Sequence, residues 1–413
     1  MNIQNGLVEL ENANLKLETL VCTGIGSFKG AGVSGNGTGT LKFTGSASFS
    51  TGSNNCTFAN IEVDTGTALM LNSDITVKRN FVNNGAVTTA TGNLTINGNY
   101  NGAGSLSASS ITINFKGDVD FSQGTFSGSS RTVKLNGTAS QKIKINASGT
   151  DFGNLEINKT SRDVTIEESE GTLSAASLKI TSAPGGVTVN APLSVTGILE
   201  HTGGGNALFT KRVTAQTLRH SGIGTADFSE EVVTPNLDHT GTNTLTFQKK
   251  IQIAASFTDN TSSGALNLNG GADFTFTSQT EFKTYQLLTL AGNCSFGGGM
   301  KRSGLGTTNI SGKITTANKA IDFLSSNNGV TLISETVMET GSGNITFTKK
   351  VMGAPNKLEI KTSGTAKFNE GFDNNFVLHL TGNAEIKEDN TFSSFKVDNS
   401  SIAAATSVKF EGG

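Results

Sequence analysis

A five-residue block recurs in the middle of the chain at a constant interval of 19 residues. Its three copies are Leu199-Glu-His201-Thr-Gly203, Leu218-Arg-His220-Ser-Gly222 and Leu237-Asp-His239-Thr-Gly241. Self-similarity at a short fixed period is typical of repeat proteins, in which each repeat forms one unit and stacks on its neighbours. The block therefore predicts stacked units, with equivalent residues lying one above another.

Each block leads into a short segment in which apolar residues alternate with others. The segments are Ala207-Leu-Phe209, Ala226-Asp-Phe228 and Leu245-Thr-Phe247. Because successive side chains of a strand point to opposite faces, this alternation indicates strands with one buried face. We expect the three Phe side chains to point inward and stack. Charged pairs of alternating sign follow, and they predict an exposed ladder between units: Lys211-Arg212, Glu230-Glu231 and Lys249-Lys250.

Looser copies of the pattern continue through the C-terminal half. In each copy a Gly lies four residues before an apolar position, where it supplies the positive φ or close backbone approach that a tight corner needs. The copies are Gly264 to Leu268, Gly292 to Phe296, Gly343 to Phe347, Gly364 to Phe368 and Gly382 to Ile386. This alignment places Leu288, Glu339, Ile360 and Leu378 in the column of the histidines. The spacing is irregular from about 268 to 340, where we expect any loop that interrupts the array.

The N-terminal half repeats through an Asn before an alternating strand, as in Asn60-Ile-Glu-Val63 and Asn154-Leu-Glu-Ile157. The 51 glycines, 4 prolines and absence of Trp are typical of many short strands joined by tight turns. No composition shift divides the chain. We predict an all-β fold, a single right-handed parallel β-helix of roughly 20 coils spanning residues 1–413.

The ends of the chain and its cysteines bear on export, membrane insertion and the presence of zinc or disulfide motifs. The N-terminus lacks a basic region followed by an apolar stretch, and no segment has the apolar length of a membrane span. Strand-like pattern reaches both ends without a polar cap, as expected for a fragment of a longer array. The three cysteines, Cys22, Cys56 and Cys294, form no paired motif, so they suggest neither a zinc site nor a disulfide framework.

Charge bears on the class of partner. The formal net charge is −2, which is far from the basic field that phosphate-backbone binding requires. We therefore expect no nucleic-acid partner. No motif in the sequence indicates a cofactor, and we expect none. The repeats predict no particular oligomeric state.

The histidines at equivalent repeat positions are the only candidate ligands for a metal. His201, His220 and His239 would lie one above another, and stacked imidazoles can bind a transition metal. The favoured interpretation is a buried structural ladder, because the same column accepts apolar residues elsewhere.

Two glycine runs, Gly203 to Asn206 and Gly297 to Gly299, lack the acidic or Gly-Lys-Ser/Thr residues of ion or phosphate loops and predict turns.

The repeated sequence segments described above resemble the repeat regions of filamentous-haemagglutinin-like adhesins and autotransporter passenger domains of bacteria. The same resemblance extends to the segment Gly66-Thr-Ala-Leu-Met-Leu-Asn-Ser-Asp-Ile-Thr-Val77. The resemblance covers most of the chain. It implies a right-handed parallel β-helix, an extracellular or cell-surface location, and a role in adhesion or as a stalk. We expect host or neighbouring-cell glycans or proteins as partners, because the variable outward positions of the repeats are Thr, Ser, Asn and Lys, which suit weak, repeated polar contacts.

A polysaccharide-active enzyme, either a lyase or a glycoside hydrolase, is the alternative function. Glycoside hydrolases need two carboxylates a few ångströms apart, and lyases need clustered acids with a basic residue. Acidic residues are scattered here, and the densest group, Glu167-Glu168-Ser169-Glu170, is typical of a solvated turn. We therefore expect a structural or adhesive segment with no catalytic residue.

Overall fold

A computed structural model describes residues 2–4, 7–11, 19–23, 26–31, 40–50, 56–108, 111–127, 131–167, 171–261, 263–269, 273–324, 327–353, 355–373, 376–387, 392–397 and 408–411. They belong to two compact units, Met1–Arg212 and Val213–Gly413. Among the described residues every regular element is a β-strand.

The strands of the first unit are β1 (Asn2–Gln4), β2 (Leu7–Glu11), β3 (Thr19–Thr23), β4 (Gly26–Ala31), β5 (Thr40–Phe43), β6 (Ala47–Ser50), β7 (Cys56–Phe58), β8 (Asn60–Val63), β9 (Ala68–Leu71), β10 (Ile75–Val77), β11 (Phe81–Asn83), β12 (Ala86–Thr89), β13 (Leu94–Ile96), β14 (Tyr100–Asn101), β15 (Ser105–Ala108), β16 (Thr112–Phe115), β17 (Val119–Asp120), β18 (Thr125–Ser127), β19 (Thr132–Leu135), β20 (Gln141–Lys144), β21 (Thr150–Asp151), β22 (Asn154–Asn158), β23 (Val164–Ile166), β24 (Leu173–Ala175), β25 (Ser177–Ser182), β26 (Val187–Val189), β27 (Leu193–His201) and β28 (Ala207–Phe209).

Those of the second unit are β29 (Val213–His220), β30 (Ala226–Phe228), β31 (Val232–Val233), β32 (Asn236–His239), β33 (Leu245–Phe247), β34 (Ile251–Ile253), β35 (Ser256–Asp259), β36 (Leu266–Leu268), β37 (Asp273–Phe276), β38 (Thr280–Phe282), β39 (Leu287–Phe296), β40 (Met300–Arg302), β41 (Thr307–Thr316), β42 (Ile321–Phe323), β43 (Val330–Thr340), β44 (Ile345–Phe347), β45 (Val351–Met352), β46 (Lys357–Phe368), β47 (Phe376–Lys387), β48 (Phe392–Val397) and β49 (Val408–Glu411).

Each unit is built from three columns of parallel strands, which we name faces A, B and C because successive coils pass through them in the repeating order A, B, C. In the first unit face A includes β10, β13 and β16, face B β8, β11 and β14, and face C β9, β12 and β15. In the second unit face A includes β32, β35, β38 and β40, and face B β30, β33 and β36. Face C there includes β31, β34 and β37. Parallel strands stacked in this way form a β-solenoid of about 16 turns, which confirms the predicted fold class.

Alternation along each short strand places apolar side chains inside the coils. In the first unit a cluster of aromatic rings fills part of the interior, where Tyr100 lies 4.9 Å from Phe121 and Phe121 lies 4.9 Å from Phe126 between ring centroids. Burial raises the pKa of Tyr100, and its hydroxyl accepts a hydrogen bond of 3.1 Å from Asn83 Nδ2. Burial of such rings removes apolar surface from water and favours the folded state.

The predicted Phe column forms in part. Phe228 and Phe247 are paired, buried and stacked, with centroids 5.2 Å apart and an interplanar angle of 16°, and Phe209 is buried in the first unit. Leu268 continues the column on β36 as expected. Phe296 and Phe347 do not, because Phe296 pairs with Phe276 on face C and Phe347 with Phe323 on face A. The same Gly-x-x-x-apolar spacing occurs on more than one face, so aligning on it shifts the predicted register.

Glycines act at corners where neighbouring coils come into contact. Gly382 has a φ of +121°, and a Cβ there would lie 1.8 Å from the carbonyl oxygen of Thr362. At Gly343 the corresponding distance to Lys319 O is 2.0 Å. Both predicted reasons for glycine, positive φ and close approach, are therefore found at the predicted corners.

Charged side chains on the outside pair between successive coils. On face A of the second unit Glu281 Oε1 lies 2.9 Å from Lys301 Nζ, and Glu281 also accepts a hydrogen bond of 2.7 Å from Ser303 Oγ. The predicted pair Glu231–Lys250 forms at 3.7 Å. Such ladders favour correct register, although each exposed pair contributes little free energy.

Replacing Glu281 with Gln tests this ladder. The hydrogen bond from Ser303 and the bond to Lys301 lower the pKa of Glu281, so its contribution is present above the unfolded-state pKa and is lost as pH falls through the folded-state pKa. We expect Glu281→Gln to lower the free energy of unfolding by about 0.2–1 kcal/mol at neutral pH and low salt. In chemical denaturation the difference from the wild type should vanish in acid and shrink in high salt. A difference independent of pH would contradict the ladder.

Candidate functional site

Two of the three predicted histidines stack inside the second unit. His220 and His239 occupy paired positions of β29 and β32, and their ring centroids lie 5.3 Å apart with an interplanar angle of 25°. Both are buried. His201 is buried in the first unit, where desolvation lowers its pKa and the bond to Gly205 opposes that shift.

Every histidine of the block binds the carbonyl oxygen four residues further along the chain. The Nε2 atoms contact the carbonyl oxygens of Gly205, Gly224 and Asn243 at 2.9, 2.9 and 3.4 Å from His201, His220 and His239. Carbonyl oxygens only accept, so Nε2–H is the donor. Each inward histidine thus donates a hydrogen bond to a carbonyl oxygen at the following corner of its coil.

The column next to His239 differs from the prediction. The paired position on β35 is Asp259, which is followed in the column by Phe282 and then Arg302. Leu288 instead lies on face B, paired with Leu266. Connections between the faces differ in length from coil to coil, so a fixed offset from the repeat selects the wrong residues.

Asp259 is the centre of a buried hydrogen-bond network. Its Oδ1 accepts from His239 Nδ1 at 3.2 Å, and both side chains are 0% exposed. Its Oδ2 accepts from the backbone N–H groups of Lys283 and Thr284, each at 2.9 Å, and from the hydroxyl of Thr284. The carboxylate therefore has protein donors on both oxygens.

Arg302 repeats the corner arrangement with a different side chain. Its guanidinium donates to Thr308 Oγ1 at 3.1 Å, to Phe282 O at 3.3 Å and to Gly306 O at 3.2 Å. Burial lowers the pKa of Arg302 to about 10, and the charge of Asp259 opposes that shift. Gly306 is four residues after Arg302, as Gly224 is after His220, so arginine and histidine serve the same structural purpose here.

Two buried cations of the first unit also bind backbone oxygens. Lys159 Nζ donates to Ala139 O at 2.6 Å and to Gln141 Oε1 at 2.9 Å. Arg131 Nη2 donates to Asp151 O, and its guanidinium carbon lies 4.0 Å from the centroid of the Phe126 ring. Desolvation lowers the pKa of Arg131 to about 10.

Sequence reasoning did not single out Asp259, Arg302, Arg131 or Lys159. The signal that marks the first two is local: a polar residue ends a short strand, two positions after an apolar residue, as in Phe257-Thr-Asp259 and Met300-Lys-Arg302. That is also the pattern of Leu237-Asp-His239. Among the described residues no group of three or more His, Cys, Asp or Glu side chains is arranged to hold a metal ion.

The other predicted positions have simple surroundings. Cys294 is buried, which raises the pKa of its thiol to about 12, whereas the side chains of Cys22 and Cys56 lie outside the described part. Glycine runs 203–205 and 297–299 lie in connections between strands, as predicted. Residues 168–170 of the acidic group are also outside the described part.

The outer surface of the first unit carries a polar groove on face A. It has a volume of about 410 Å³ and is open to solvent. Its lining residues come from four successive coils: Asp74, Ile75, Thr76, Asn93, Thr95, Thr112, Asn114 and Lys134. Thr76 and Thr95 are paired neighbours on β10 and β13.

Hydrogen bonds between coils hold the groove in shape. Asp74 Oδ1 accepts from the backbone N–H of Asn93 at 2.5 Å, and Asn93 Oδ1 accepts from that of Thr112 at 3.2 Å. Asn114 Nδ2 donates to Thr95 Oγ1 at 3.2 Å. The groove therefore presents hydroxyl and amide groups at the regular spacing of parallel strands.

No family model, curated protein or solved structure matches this chain. Within the described residues there is no helix with the length and apolar character needed to cross a bilayer. The candidate surfaces must accordingly be judged from their own geometry.

Proposed function

We propose that this chain is a structural or adhesive segment of an exported bacterial surface protein and performs no catalysis. The observation that supports the proposal is the solenoid itself, because its parallel ladders hold outward side chains in regular columns. The resemblance to adhesin and passenger-domain repeats points to the same role and to the cell surface.

A surface of repeated weak sites suits adhesion. The groove on face A offers threonine hydroxyls and asparagine amides, which make individually weak contacts with glycans or proteins. Once one contact has formed, the neighbouring contacts form at a high effective concentration. Many weak contacts together can therefore give high affinity without one deep pocket. At the edge of the groove Lys134 pairs with Glu156 of the next coil at 3.2 Å, a contact that favours this register.

Cell binding by the purified chain tests the proposal. We expect surfaces coated with the folded chain to retain cells or extracellular matrix, and surfaces coated with heat-unfolded chain to retain neither. Incubation with polyuronates and other acidic polysaccharides should release no reducing ends and no unsaturated uronates. Turnover that disappears when a carboxylate is replaced would establish the enzyme alternative and overturn the proposal.

A matched pair of variants locates the contact surface. Replacing Thr76 and Thr95 with Lys places two bulky cations in the groove, and we expect it to reduce cell retention several-fold. Replacing Thr88 and Ser107 with Lys adds the same charge on face C of the same unit, where these side chains are paired outward neighbours. Equal loss in both variants would assign adhesion to general charge and not to the groove.

A further inference from the structure

The dipeptide Asn97-Gly98 lies in a corner of the first unit, between β13 on face A and β14 on face B, and the Asn97 side chain is exposed. Because glycine has no Cβ, its backbone nitrogen has free access to the amide carbon of the preceding Asn side chain. The fold requires the glycine here, since a Cβ at Gly98 would lie 2.1 Å from the carbonyl oxygen of Arg79. Within the described residues, neither the Gly98 N–H nor the Asn97 side-chain amide has a hydrogen-bond partner. The two groups are therefore free to react with each other.

Other Asn-Gly pairs of the first unit hold the glycine nitrogen in place. The N–H of Gly85 donates to Asn83 Oδ1 at 3.1 Å, and that of Gly137 donates to Gln141 Oε1 at 3.2 Å. A nitrogen that is to attack the amide carbon must first lose this proton and turn away from the acceptor. The pairs at 84–85 and 136–137 are therefore protected from the reaction that is open to Asn97.

Two further Asn-Gly pairs are restrained in different ways. Asn328 Nδ2 donates to Leu305 O at 3.2 Å, which fixes that amide on the preceding coil. Asn101 lies beside Asp120 on the paired strands β14 and β17, so its nearest ionisable neighbour in the column is a carboxylate. A carboxylate opposes the formation of a second negative charge beside it. Asn97 has neither restraint.

Two lysines flank Asn97 along the solenoid. Lys78, Asn97 and Lys116 each directly follow their strand in the paired set β10, β13 and β16, so they occupy equivalent positions of three successive coils. All three are exposed. Loss of the Gly98 proton creates an anion, and nearby cations lower its free energy. The lysines therefore favour both the attacking nitrogen and a carboxylate at position 97.

We propose that Asn97 is a site of spontaneous deamidation, in which water is the only other reactant. Gly98 N loses its proton to hydroxide and bonds to the side-chain carbonyl carbon of Asn97, the bond from that carbon to Nδ2 breaks, and ammonia leaves. Water then opens the resulting cyclic imide. Opening at the side-chain carbon gives aspartate, and opening at the main-chain carbon gives isoaspartate, whose backbone runs through the side chain. Either product places a negative charge between the two lysines.

Ageing of the folded, intact chain in warm, mildly alkaline buffer tests the inference. Peptide mass spectrometry measures the conversion at each Asn-Gly pair, and isoelectric focusing follows the added charge. We expect Asn97 to convert at least about tenfold faster than Asn84 and Asn136. In chain unfolded by denaturant the three positions should convert at similar rates, because the hydrogen bonds that protect two of them are lost.

Two sets of variants separate the contributions. Asn97→Gln keeps an amide but requires a larger ring, so the acidic species that is due to this site should disappear. Replacing Lys78 and Lys116 with Gln should slow conversion at Asn97 about two- to fivefold at low salt, and the difference should shrink in high salt. The matched control replaces Lys313 and Lys361, two exposed lysines of the second unit, and should leave the rate unchanged.

The rates decide the inference independently of adhesion. Conversion at Asn97 that is no faster than at Asn136 in the folded chain would overturn it, whether or not the chain retains cells. The same preference for Asn97 in the unfolded chain would overturn the assignment to the folded corner. An unchanged rate in the variant that lacks Lys78 and Lys116 would overturn the role of the two lysines.

Discussion

Replacing Asp259 with Asn should lower the free energy of unfolding of the second unit by about 1–3 kcal/mol, because it removes the charge of a buried carboxylate that accepts hydrogen bonds on both oxygens. Asn keeps the size of the side chain but replaces one acceptor oxygen with an NH2 group. If the amide oxygen stays with the N–H groups of Lys283 and Thr284, the NH2 group faces His239 Nδ1, and a hydrogen bond is kept there only if that nitrogen accepts instead of donating.

Chemical denaturation of the intact chain measures this loss of stability, and native-state hydrogen exchange shows which strands are affected. Protection should fall in β32, β35 and β38, which contribute His239, Asp259 and the strand before Lys283. Asp238→Asn is the matched control, since Asp238 is partly exposed and pairs with Arg219 at 3.1 Å on the outside. Its cost should stay below about 1 kcal/mol. Equal losses in the two variants would show that the buried network contributes no more than a surface ion pair.

The fold class can be predicted from the sequence because the same spacing recurs in many coils, so a few irregular coils do not hide it. The 19-residue block and the alternating segments ending at Phe228 and Phe247 specify both stacking and inward direction, and the structure pairs those residues accordingly. The register of strands that are many coils apart cannot be predicted from the sequence, because it depends on the lengths of all the connections between them. Phe296 and Phe347 therefore lie on faces other than the one that alignment predicts.

The surroundings of the histidines illustrate the same limit at the level of a site. The spacing of the histidines in the sequence predicts their shared column and their burial, as the stacked rings of His220 and His239 show. Their partners are not, since Asp259 reaches His239 from the next coil and binds Thr284 from the coil after that. Partners separated by whole coils become neighbours only once the register of the strands is known.

Truncating Phe228 to Ala should cost about 3–5 kcal/mol, through the lost transfer free energy of the ring and the cavity that remains beside Phe247. Because repeats couple mainly to their neighbours, hydrogen exchange should accelerate in β30, β31 and β33 while β44 keeps its protection. Phe228→Leu should cost far less, since Leu268 already occupies this column. Tyr285→Ala, at a side chain that is 50% exposed, controls for loss of an aromatic ring and should leave unfolding nearly unchanged. Loss of protection across the whole unit on Phe228→Ala would mean that its coils unfold as one cooperative block.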